Sequence, residues 1–130
     1  MRSSLDTLTI PFSPHHHQYL HTHNVQVVRC LLASMPPGVA IPPHHDTGYW
    51  VSYTHRIHLA VVTSPQHIAF RVGPTVERME RYDMAEGCLV ELNNQAKHTV
   101  DNCWDRHRVH LIFDYVEDMA IERLLLQVGR

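Results

Sequence analysis

Cysteine is scarce and lies in no pairing pattern: Cys30, Cys88 and Cys103 are the three in 130 residues, and no two form a C-x-x-C. An odd count without that spacing speaks against a disulfide framework or a thiolate zinc knuckle, and for a reducing compartment. Surplus charge is missing too. Eleven Lys+Arg stand against 13 Asp+Glu, a formal net charge of −2. No basic excess is available to neutralise phosphates, which excludes a protein held on nucleic acid by electrostatics. No apolar run approaches the roughly 18 residues of a membrane span. Met1 to Phe12, interrupted by Asp6 and Pro11, lacks the unbroken stretch of a secretory signal. A cytoplasmic protein with neither a membrane nor a nucleic-acid partner is expected.

Histidine, by contrast, is abundant, with 13 residues. The remainder is ordinary for a globular chain, 44% hydrophobic and 18% charged. A chain of this length makes one domain that hides roughly two-thirds of its unfolded surface. Residues 1–24 differ from the rest, with two prolines and five histidines (His15, His16, His17, His21, His23) and little periodicity. They read as an irregular His-rich arm, or as a loose metal-binding tract. From Val25 the pattern is strand after strand: Val25 to Met35, Thr54 to Thr63, His67 to Val72, Cys88 to Leu92 and Arg106 to Val116. Pro36-Pro37-Gly38, Ser64-Pro65 and Ala85-Glu86-Gly87 supply turns between them. Only Asp118 to Val128 has helical spacing. Short strands with turn chemistry between them predict a mainly β sandwich or barrel over 25–116, with a C-terminal helix in 117–130.

The chemistry concentrates in three places. In Pro42-Pro43-His44-His45-Asp46, residues 44 and 46 share one face of an extended segment, which turns His45 the other way. His98 is a third candidate ligand. Two imidazoles and a carboxylate on one side of a metal leave the other positions open, the arrangement of non-haem Fe(II) sites. Alone, an H-x-D in so histidine-rich a chain is as easily chance as a site. Arg108 lies in the apolar strand RHRVHLIFDYV, where parity puts Arg106, Arg108, His110 and Ile112 on one face. An inward arginine demands an anion, and its planar fork suits a carboxylate. The alternatives are an ion pair with Asp114 or an exposed edge position.

The run from about Pro37 to Val116 resembles the aspartyl/asparaginyl β-hydroxylase family of Fe(II)/2-oxoglutarate-dependent oxygenases, with its proline-hydroxylase relatives. The pieces that carry the resemblance are IPPHHDTG, THRIHLAVVT, MAEGCLVELNNQAKHTVDN and DRHRVHLIFDY, in the family's order. The resemblance implies a double-stranded β-helix (jelly-roll, cupin-like) fold. It implies His44, Asp46 and His98 as iron ligands, and Arg108 on the distal carboxylate of 2-oxoglutarate. Arg56 and His58 match positions that contact the co-substrate in some members; the other reading of His58 is a satisfied interior histidine. His110 either lines the pocket or fills it. The implied activity is a dioxygenase that uses O₂ to hydroxylate an unactivated C–H of an Asp-, Asn- or Pro-like amino acid or side chain, releasing succinate and CO₂. Its partner would be a small-molecule or peptidyl amino acid. Thr47 to Tyr53 is either a substrate loop or the closure of the barrel mouth. A 2-oxoglutarate-independent metal cupin (isomerase or hydrolase) and a non-catalytic metal-binding barrel are the rivals. Val109, Leu111 and Phe113 need cover on the outer face, from the C-terminal helix or from a second copy in a homodimer.

Overall fold

The computed structural model describes residues 9–11 and 25–117. The histidines expected in an irregular arm and the expected C-terminal helix lie outside the described residues. Nine strands are described: β1 (Thr9–Pro11), β2 (Val25–Met35), β3 (Ala40–His44), β4 (His55–Val62), β5 (Ile68–Gly73), β6 (Glu80–Arg81), β7 (Leu89–Leu92), β8 (Lys97–Asn102) and β9 (Arg108–Glu117). A single 3₁₀ turn, Tyr49–Ser52, separates β3 from β4. Among the described residues no helix is long and apolar enough to cross a membrane.

The strands form two sheets, ordered β1-β7-β4-β9-β2 and β3-β8-β5-β6. Every pairing is antiparallel, and the pairs nest: β2 with β9, β3 with β8, β4 with β7, β5 with β6. One long folded-back ribbon is thus wound on itself. The contacts β4–β9 and β5–β8 join successive turns of the winding. This is the double-stranded β-helix that the resemblance implies. Strand β1 extends the larger sheet at β7, so part of the segment read as an arm is paired.

The core follows the two-residue period of strands. Ile68, Phe70 and Val72 of β5 point between the sheets, as do Val90 and Leu92 of β7, with Met35, Ala60, Met84 and Val100. Turn chemistry places the ends. Gly38 takes φ +75° after Pro36-Pro37, and Gly87 takes φ +82° after Ala85-Glu86, values an L side chain resists. Asn102, 1% exposed, ties the far end of β8. Its side-chain amide donates towards the carbonyls of Met35, Pro36 and Arg106, and its oxygen accepts from Trp104 N–H.

Two readings of the strands need correction. Arg106 is not in β9, which begins at Arg108; its guanidinium lies over the Trp104 ring at 5.0 Å instead. The turn braced by Asn102 takes up residues 103–107, so parity does not reach back to Arg106. Strands β3 and β8 were not legible as strands. Pro42 and Pro43 have no N–H for a ladder, and the register of β3 against β8 shifts between Ile41 and His44. In β8 the inward positions include His98 and Asn102, so the usual apolar alternation is missing. On the outer face of the larger sheet, Val109, Leu111 and Phe113 are half-buried.

Candidate active site

The irregular end of β3 meets the start of β8 where His44 pairs with His98 in the ladder. Their rings lie 4.2 Å apart between centroids. Each ring is oriented by its own strand. His44 Nδ1 donates to the Pro42 carbonyl at 2.8 Å, and His98 Nδ1 donates to the Ala96 carbonyl at 3.0 Å. A carbonyl can only accept, so the proton of each neutral ring sits on Nδ1 and the Nε2 lone pair is left for a ligand. Both Nε2 atoms face Asp46 Oδ1, at 3.9 Å from His44 and 3.6 Å from His98. Ligand atoms from the three residues fall within 4.8 Å of one another. Burial lowers the pKa of His98, which keeps it neutral and ready to ligate, although the Ala96 bond and Asp46 oppose the shift. Two imidazole nitrogens and one carboxylate oxygen, from one side, fit ferrous iron with positions left for other ligands.

Asp46 lies just past β3 and is fixed from two directions. Its backbone N–H donates to the Asn94 carbonyl at 3.0 Å. Its Oδ2 accepts from Arg56 Nη1 at 2.5 Å, leaving Oδ1 towards the imidazoles. Arg56 in turn grips Asp114, 1% exposed, through Nε and Nη2, both at 2.8 Å. The Asp114 hydrogen bond is the chief cause that raises the Arg56 pKa. The resemblance puts Arg56 against the co-substrate; here it holds the carboxylate of the ligand set. Asn94 also donates to Thr54 Oγ1 at 3.4 Å, and Thr54 Oγ1 donates to the Trp50 carbonyl at 3.0 Å. The 47–53 loop and the β7–β8 turn are thereby locked around Asp46.

Strand β8 leads away from this cluster, and β9 enters at the opposite end with Arg108. The guanidinium is buried, 4% exposed, and among the described residues no carboxylate bonds to it. Neither alternative holds: Arg108 is not at an exposed edge, and Asp114 pairs with Arg56. Burial lowers the Arg108 pKa to about 10, so it stays charged at neutral pH. Its Nη2 donates to His110 Nδ1 at 2.8 Å, and His58 Nδ1 lies 3.2 Å from that same nitrogen. A narrow cleft there is lined by Thr63, Ile68, Phe70, Tyr82, Met84, Arg108 and His110.

The remaining histidines stand apart. His45 points away to Lys97 Nζ at 3.1 Å. His55 donates to Glu91 at 2.7 Å on the outer face and stacks on Tyr115. His107 contacts Ser34 and is exposed. A larger groove, about 400 Å³, crosses the outer face of the smaller sheet past Ala40, Ala69 and Arg71. Its arginines are already paired, Arg71 with Asp101 at 3.1 Å and Arg81 with Asp83 at 2.9 Å, and none of the three candidate ligands lines it. Sequence reasoning missed the Asp114 clamp on Arg56 and the Asn94 and Thr54 brace. Inward parity with Arg108 was the available signal for Asp114.

The sequence profile described as aspartyl/asparaginyl β-hydroxylase matches residues 12–118. The chain belongs to that family. No curated protein sequence matches it. Among solved structures it is similar to an oxidoreductase of the 2OG-Fe(II) oxygenase family from Burkholderia pseudomallei, with TM-score 0.59 and 18% identity over 72% of this chain and 46% of that one. It is similar to the non-haem α-ketoglutarate-dependent epimerase SnoN of nogalamycin biosynthesis, with TM-score 0.60 and 11% identity over 78% and 51%. It is also similar to a Pseudomonas putida prolyl-4-hydroxylase, with TM-score 0.50 and 21% identity over 68% and 51%. The chain thus spans about half the length of these proteins, and at such identities the likeness is one of fold.

Proposed function

We propose that this β-hydroxylase family member is an Fe(II)/2-oxoglutarate-dependent dioxygenase that hydroxylates an unactivated C–H of an amino acid or amino-acid side chain of the Asp, Asn or Pro kind. One observation carries the reading. A buried guanidinium, with no carboxylate bonded to it among the described residues, stands at the far end of an interior whose other end presents two imidazoles and a carboxylate. A metal cupin that does without 2-oxoglutarate has no use for that guanidinium.

In this reading His44, Asp46 and His98 hold the iron. Bound together, ferrous iron and 2-oxoglutarate supply the oxidising power that converts a C–H to an alcohol with O₂, leaving succinate and CO₂. Arg108 anchors the distal carboxylate and so sets the length of acid that is accepted. Arg56 holds Asp46 Oδ2 and so directs the other carboxylate oxygen to the metal. Ile68, Phe70 and Met84 wall the cleft and keep it dry. The epimerase among the fold neighbours shows that the barrel alone does not dictate hydroxylation; family membership supports it. A second copy of the chain on the larger sheet belongs to the same reading. Val27, Val28 and Leu32 of edge strand β2 are 59%, 49% and 66% exposed, and light scattering over a concentration range checks for a dimer.

The test is anaerobic addition of Fe(II) and 2-oxoglutarate, then succinate release with proline, aspartate, asparagine and short peptides. A weak visible charge-transfer band is expected with the wild type and is lost in His98→Ala. A protein that gives no band, and no succinate with any substrate, is not such an oxygenase.

A further inference from the structure

Three side chains form an interior cluster beyond the ligand set: His58 of β4 and Arg108 and His110 of β9. Their hydrogen bonds fix the protons. A guanidinium has donors only, so at 2.8 Å Arg108 Nη2 donates and His110 Nδ1 is the lone-pair nitrogen. The His110 proton is therefore on Nε2. His58 Nδ1, 3.2 Å from that lone pair, must carry its own proton, since two lone pairs would repel. Arg108 and His58 together force one tautomer on His110.

That tautomer leaves a donor over. His110 is 1% exposed, and its Nε2–H has no partner among the described residues; the same holds for Arg108 Nε–H. Both residues line the narrow cleft with Thr63 and Tyr82. Two orphaned buried donors beside a positive charge call for a ligand rich in acceptors. Resting on the reading that Arg108 anchors 2-oxoglutarate, we propose that His110 is a second recognition residue for the distal carboxylate, donating through Nε2–H, with His58 a positioning residue that holds the ring in that tautomer. Arg108 alone attracts any anion. A rigid imidazole donor beside it makes a two-point site that favours a planar carboxylate. The ring has to stay neutral to accept from Arg108, and burial with the Arg108 charge holds its pKa down to about 3.

The experiment measures binding, not turnover. The full chain is loaded with Mn(II) and titrated calorimetrically with 2-oxoglutarate and with 2-oxopentanoate, a keto acid of equal chain length that ends in a methyl group. The wild type is expected to prefer 2-oxoglutarate by about a hundredfold or more. His110→Leu should cut that preference by about tenfold or more at unchanged Mn(II) affinity. His110→Gln, which can accept from Arg108 and still donate, should restore most of it. A preference unchanged in His110→Leu overturns the role of His110 and leaves that of Arg108 standing. A wild type with no preference overturns both. Imidazole ¹⁵N spectra of the wild type decide the matter even if the leucine variant does not fold. They should show His110 protonated at Nε2 and His58 at Nδ1, with the His110 proton moving downfield when 2-oxoglutarate is added. His110 protonated at Nδ1 overturns the proposal.

Discussion

Two arginines enter the interior of the barrel from neighbouring strands, and their surroundings are opposite. Arg56 lies between Asp46 and Asp114, with three of its donors on carboxylate oxygens. Arg108 is more deeply buried, and its side-chain hydrogen bond among the described residues goes to a neutral imidazole. Burying a cation without an anion costs several kcal/mol. A fold that bears this cost at one arginine and neutralises the other treats them differently. Arg56 belongs to the scaffold that aims Asp46, the proposed carboxylate ligand. Arg108, with its orphaned Nε–H, has no anionic partner among the described residues.

The sharpest way to break this contrast is to replace each guanidinium with methionine and compare stability by urea unfolding without added metal. Arg56→Met strands Asp114, 1% exposed, as a buried charge and releases Asp46. It should cost about 3–5 kcal/mol. Metal affinity should fall at least about tenfold, because Asp46 loses the partner that orients it. Arg108→Met removes a charge that has no counter-charge bonded to it among the described residues. It should leave the fold unchanged or more stable by about 1–3 kcal/mol, while the 2-oxoglutarate requirement rises and the metal requirement does not. Similar losses in both variants would mean that Arg108 is structural and the two sites are alike.

The same contrast marks how much was legible beforehand. Strand parity put Arg108 and His110 on one inward face, and the H-x-D spacing with His98 named a group that the fold does bring together. The shared faces follow from a local rule, since alternate residues share a face in any strand; that His98 joins His44 and Asp46 was implied by the family resemblance. Partner choice across strands is not local. Asp114 could be read as facing inward, but the β4–β9 register sets it opposite Arg56, leaving Arg108 opposite Met35 of β2. The strand β3 was hidden for a different reason: Pro42 and Pro43 remove the ladder donors that make a strand recognisable. That same irregularity precedes His44 and Asp46 at the site.

A smaller effect tests the interior imidazoles through pH. Burial lowers the pKa of His58 well below its ordinary value, with the His110, Arg108, Arg56 and His98 rings and charges adding to the shift. His110 is lowered to about 3, by burial and then by Arg108. In the unfolded chain both rings take up a proton near pH 6.5. In the folded chain they do not until the pH is far lower, so acid favours unfolding. Their contribution is therefore intact above about pH 6.5 and is lost as the pH falls, by about 1.4 kcal/mol per unit for each ring. Urea unfolding at pH 7.5, 6.5 and 5.5, in the presence of a chelator, reads the slope. His98, also lowered by burial, adds to it in both wild type and variant, so the difference between them isolates one ring. His110→Gln should reduce the slope by one proton's worth while Arg108 keeps its acceptor. An identical slope in the variant would mean that His110 is already protonated in the folded protein, and an imidazolium there could not accept from Arg108.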